Sequence, residues 1–143
     1  MFHAKEGPDL VVRLVDGEDL MARLGDLAID SGAILAGIGM LRDLRTGYWN
    51  GTSYEEHCIA EPVELLSIQG NFATSAEGRA IHCHVSVARQ DGSACGGHLL
   101  GATVSNTAEI AIRVFEGIRL ERRAQPQGGV GLYPTSSRSA ASR

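Results

Sequence analysis

Apolar and polar positions along the chain alternate mostly at the period of strands, with a single stretch at the period of a helix. "DLVVRLVD" (9–16) alternates loosely and is rich in β-branched residues, which reads as a strand. Asp16 can then cap a helix through "GEDLMARLGDLAIDSG", where Leu20, Leu24, Leu27 and Ala28 fall on one face. Asp19 suits the acidic first turn, and Gly32 is the expected stop. "AILAGIGML" predicts a buried strand, and "RTGYWNGTSYEEHCIA" predicts a hairpin turning at Asn50-Gly51. "VELLSIQGNFA" is a further apolar strand, ending near Gly70-Asn71. In "AEIAIRVFE", Ala108, Ile110, Ile112 and Val114 alternate with Glu109, Ala111 and Arg113, a strand pattern, although so short a run also fits a helix. One helix and about seven strands give an α+β fold: a curved, largely antiparallel sheet with one principal helix packed on it, in a single domain over residues 1–124. Residues 125–143, "QPQGGVGLYPTSSRSAASR", form a tail rich in Gly, Pro and Ser that is expected to be partly disordered, its last ten residues mobile.

The segment 78–100, "GRAIHCHVSVARQDGSACGGHLL", holds three of the five histidines. On a strand, Ile81, Cys83, Val85 and Val87 share one apolar face, which predicts the core side; His82, His84, Ser86 and Ala88 share the other. Two imidazoles at i and i+2 then point the same way, about 7 Å apart, a spacing that suits two ligands of one ion. The place of His98 depends on the turn. If Asp91-Gly92 is a two-residue turn, His98 faces Val85 and enters the core. If the loop is Gln90-Asp91-Gly92, with Gly92 in the left-handed region, His98 stands opposite His84 and all three imidazoles share a face. The second register is favoured, because a buried, unpaired histidine is costly. A bulge at Gly96-Gly97 is another route to the same face.

Three grouped neutral imidazoles match a zinc site with a fourth position open, and the ligand type also admits nickel, iron or copper. The bland alternative for HxH on a strand is an exposed or hydrogen-bonded pair. Glu109 is the expected fourth or neighbouring group and, in an enzyme, the general base acting on metal-bound water; His57 and Cys58 are weaker candidates.

Composition narrows the classes. A chain of 143 residues that is 43% hydrophobic and 21% charged can bury a core without staples. Three cysteines without a CxxC pair suggest reduced thiols and a cytoplasmic protein, and no apolar run approaches a membrane span. Residues 1–123 hold all 17 acidic residues but only 11 of the 13 basic ones, a body charge of −6 that opposes a phosphate backbone. Phosphate-loop and GxSxG signatures are absent from the sequence, and Cys83 on the core face is a poor thiolate.

"ELLSIQGNFA", "GRAIHCHVSVARQDGSACGGHLL" and "TVSNTAEIAI" together resemble the signature of the PPC domain, shared by plants and prokaryotes, over residues 9–123. The resemblance implies a homotrimer of α+β subunits with His82, His84 and His98 as a metal site, in a family labelled DNA-binding. In plants the domain follows AT-hook motifs, which this sequence lacks. Glu61-Pro62-Val63 also stands where plant members carry G-R-F. Three functions follow as expectations: a trimeric metal- or small-ligand-binding module with a regulatory role, a zinc-dependent enzyme with metal-activated water, and a direct DNA-binding protein.

Overall fold

A computed structural model describes residues 1–136; residues 137–143, part of the expected tail, lie outside the described residues. The strands are β1 (Phe2–Glu6), β2 (Asp9–Val15), β3 (Gly32–Trp49), β4 (Tyr54–Ile59), β5 (Val63–Ser75), β6 (Gly78–Ala88), β7 (Ala94–Val114), β8 (Ile118–Ala124) and β9 (Val130–Ser136), with one short helix, α1 (Leu20–Asp26). All strands belong to one mixed sheet in the order β1-β2-β7-β3-β5-β8-β9, with β4 on β3 and β6 between β5 and β7. Every pairing between named strands is antiparallel except the contact of Thr74 on β5 with Glu121 on β8. Because β3 and β6 each pair with both β5 and β7, those four strands close a circuit of hydrogen bonding.

Alternation, strict along β2, β6 and the end of β7 and interrupted by register shifts in β3 and β5, builds the core. Leu10, Val12 and Leu14 of β2 and Ala108, Ile110 and Ile112 of β7 point inward. They meet Leu41, Leu65, Ile68, Phe72, Cys83, Val85, Val87 and Leu99 from the closed circuit, together with Leu20 and Leu24 from α1. Full burial of one such large aliphatic or aromatic side chain contributes roughly 1.5–3 kcal/mol, so a mixed sheet needs little helix to be covered on its inner side. The expected alternation of residues 108–114 is found as a strand.

The helix differs from expectation at both ends. Its N-cap is Asp19, whose carboxylate accepts from the Ala22 N–H at 2.8 Å. Asp16 is committed elsewhere: its Oδ1 accepts from Arg42 at 2.7 Å and from the Asn106 N–H at 2.9 Å. The helix also ends before Gly32, because Leu27 caps it and Ala28 turns to φ 54°. Gly32 instead opens β3. The expected tail needs correction as well. Residues 130–136 pair with β8 along a full ladder, and Arg123 lies over the Tyr133 ring, 5.5 Å from its centroid. Gln125 closes the turn between the two strands, donating its N–H to Gly129 O and accepting from Gly128 N, each at 3.0 Å. Among the described residues no helix is long and apolar enough to cross a membrane.

Candidate metal centre

The hairpin loop sets the site. The Gly92 N–H donates to Arg89 O and the Arg89 N–H to Ser93 O, both at 2.9 Å, which leaves Gln90-Asp91-Gly92 as a three-residue loop. Gly92 takes φ +81°, a left-handed conformation that glycine adopts without steric penalty. Asp91 fixes the loop by accepting from the Ser93 N–H at 2.9 Å and the Ser93 hydroxyl at 2.6 Å. The ladder then runs without a shift from Ala88↔Ala94 to His84↔His98. The register that places His98 opposite His84 is therefore the one formed. No bulge at Gly96-Gly97 is needed for it.

The three imidazoles meet on the face away from the core. Their ligand atoms all lie within 4.8 Å of one another. His82 Nε2 and His84 Nε2 are 3.1 Å apart, with the two rings nearly parallel and their centroids 5.1 Å apart. The His98 ring stands edge-on to both, at 4.7 Å from His82 and 5.4 Å from His84. Two nitrogens bound tetrahedrally to one zinc at 2.0–2.1 Å would be about 3.3 Å apart, so the observed pair is already near that separation. Nδ1 of His98 is buried without a hydrogen-bond partner among the described residues, an unused donor or acceptor at the cluster.

Four residues join the site that the motifs alone did not place there. Tyr54, the first residue of β4, stacks on His98 with ring centroids 4.7 Å apart and planes at 23°. It can do so because Gly47, paired with His98 across β3 and β7, has no side chain; a Cβ there would come within 2.7 Å of the Tyr54 ring. Trp49 packs edge-on behind Tyr54 at 5.3 Å. Asn71 on β5 stands opposite His82. Its Oδ1 accepts from Nη2 of Arg122 on β8 at 2.8 Å, while the Arg122 Nε is buried and unpartnered among the described residues. Asn71 and Arg122 come from strands far apart in sequence, so only the β5–β6 register and the β5–β8 contact bring them here.

The electrostatics favour the neutral form of His82 and His98. Burial, the Arg122 guanidinium and the two neighbouring histidines push the His82 pKa down to about 4. His98 is lowered by burial, then by His84 and Arg122. A neutral imidazole presents a lone pair, the form in which histidine binds a metal. Cys83 lies between His82 and His84 in sequence but on the opposite face. Burial pushes its thiol up to about 12, with Arg122 opposing.

The other expected site residues go elsewhere. Glu109 sits eleven residues beyond His98 on β7, exposed and paired with Arg13 and Ile38 on its neighbouring strands, so the structure does not bring it to the histidines. Period-two alternation assigned its face correctly but carried no information about distance along so long a strand. His57 and Cys58 line a separate groove of about 570 Å³ with Glu56, Arg89 and Cys95. A larger cavity of about 700 Å³ lies between the end of α1 and β8, away from the histidines. Among the described residues, His82, His84 and His98 are the one group of ligating side chains close enough to hold an ion.

The profile of the Plants and Prokaryotes Conserved (PCC) domain matches residues 1–116. The chain belongs to this family. A plant- and prokaryote-conserved protein from Pyrococcus horikoshii superposes with a TM-score of 0.77 at 28% identity, covering 85% of this chain and 88% of that one. A metal-containing protein from Archaeoglobus fulgidus gives 0.78 at 29%, covering 93% and 98%. A candidate DNA-binding protein from Bacteroides thetaiotaomicron gives 0.85 at 26%, covering 92% and 96%. Among curated proteins, the bifunctional protein GlmU of a Synechococcus strain is 29% identical over 123 residues, 82% of this chain. The chain spans only 18% of the length of that relative, so the match concerns one segment of it.

Proposed function

We propose that this PCC-domain chain is a homotrimeric metal-binding module with a regulatory role, in which His82, His84 and His98 hold one zinc ion and leave a coordination position open to a small ligand. The observation that carries this reading is the convergence of three imidazoles, with a buried nitrogen of His98 unpartnered among the described residues. The metal-containing relative from Archaeoglobus, similar over nearly its whole length, supports it. A bound zinc would supply Lewis acidity at the open position. Tyr54 would hold the His98 ring in place, and Asn71 would hold Arg122 beside the cluster.

A binding module is favoured over an enzyme because no carboxylate joins the cluster among the described residues, and the expected base, Glu109, lies far along β7. Self-association has a surface to use. Val11 and Ile38 on β2 and β3, with Leu66 on β5, are 58%, 59% and 49% exposed on the outward side of the sheet, and apolar side chains left in water there would gain from burial against a second copy. Direct DNA binding, suggested by the Bacteroides relative, is opposed by the body charge of −6.

Elemental analysis of tag-free protein tests the site. About one zinc per chain is expected in the wild type, with loss in His82→Ala and His98→Ala; no metal in the wild type would overturn the reading. Light scattering tests assembly, with three times the 15.2 kDa chain mass expected. A monomer would remove the trimer from the account.

A further inference from the structure

We propose that the open position of this site takes a carboxylate, shared between the bound metal and the guanidinium of Arg122. The inference rests on the metal-site reading and adds the class of ligand. Among the described residues seven other arginines, Arg42 and Arg113 among them, pair with carboxylates. Arg122 makes no ion pair among the described residues. It is held instead by a neutral amide, Asn71, directly across from His82, and its Nε is buried without a partner. A buried donor on a cation normally finds an acceptor, because leaving that bond unmade is expensive.

The ion would add to this imbalance. Three imidazole ligands bring no charge, so a divalent metal among them would add to the charge of Arg122, and among the described residues no carboxylate joins the cluster. Such a site selects an anionic ligand over a neutral one. One open coordination position and the buried Nε–H of Arg122, which lacks a partner among the described residues, amount to two contacts, matching the two oxygens of a carboxylate.

Cobalt(II)-loaded protein provides the test, since the visible spectrum of the ion reports its ligands. Acetate titrated at constant ionic strength should shift the spectrum saturably, while acetamide should not. Arg122→Met should keep its cobalt and bind acetate at least roughly tenfold more weakly. If that variant loses the native circular dichroism, Arg122→Gln takes its place with the same expectation. Failure of the wild type to bind cobalt would overturn the metal reading and this proposal with it. Cobalt binding without a saturable acetate shift, an equal response to acetamide, or unchanged acetate affinity in the folded variant would overturn the carboxylate proposal alone.

Discussion

Consecutive residues of β6 face two different environments, and burial keeps both side chains neutral with different consequences. Cys83 points into the core, where burial pushes its thiol up to about 12. His82 points outward into the cluster, where burial first and Arg122 second push its imidazole down to about 4. Neither side chain is charged at pH 7. A neutral thiol is poorly reactive and serves as packing. A neutral imidazole is a competent metal ligand. The core face thus carries packing and the outer face carries the three histidines proposed to hold the ion, one residue apart.

The sharpest way to break this division is to cut each face at adjacent residues of β7. Leu99 is 3% exposed, and Leu99→Ala should cost about 2–5 kcal/mol in denaturant unfolding while its folded fraction still binds metal. His98→Ala should cost only about 1 kcal/mol, from the lost stacking on Tyr54, yet abolish stoichiometric metal. Similar stability losses in the two variants would contradict the division.

The pH dependence of stability sharpens it further. Between about pH 6.5 and 4 the unfolded chain protonates His82 while the folded chain does not, so the metal-free protein should lose stability as pH falls through that window. The loss attributable to His82 should be no more than about 3 kcal/mol, and smaller as solvent screens the half-buried ring. Melts of wild type and His82→Ala at pH 7 and 4.5 measure it as the difference between the two slopes, and equal slopes would count against the depressed imidazole.

The smallest effect is expected at Tyr54. Tyr54→Ala removes a stacked ring of about 0.5–1.5 kcal/mol, so metal affinity should fall several-fold, read by competition with a chelating dye. An unchanged affinity would show that His98 needs no ring to hold it.

Much of this was legible in the sequence where the physics is local. Alternation along "AIHCHVSVA" placed Cys83 and the histidines on opposite faces, and the left-handed preference of Gly92 selected the loop that fixes His98 across from His84. What was not legible depends on distant pairing. Tyr54 needs the open space over Gly47, and Arg122 needs a parallel contact of β8 with β5 that no nearby residues encode. Glu109 was misplaced for the converse reason: a strand of 21 residues carries a correctly facing side chain far from its neighbours in sequence. The helix cap at Asp19 rather than Asp16 likewise turns on a long-range partner, Arg42.

X-ray absorption at the zinc edge tests the central claim most directly. Three imidazole nitrogens at 2.0–2.1 Å, with a further light-atom ligand, are the expected result. A sulfur scatterer near 2.3 Å, or a shell of oxygens without imidazole, would contradict it.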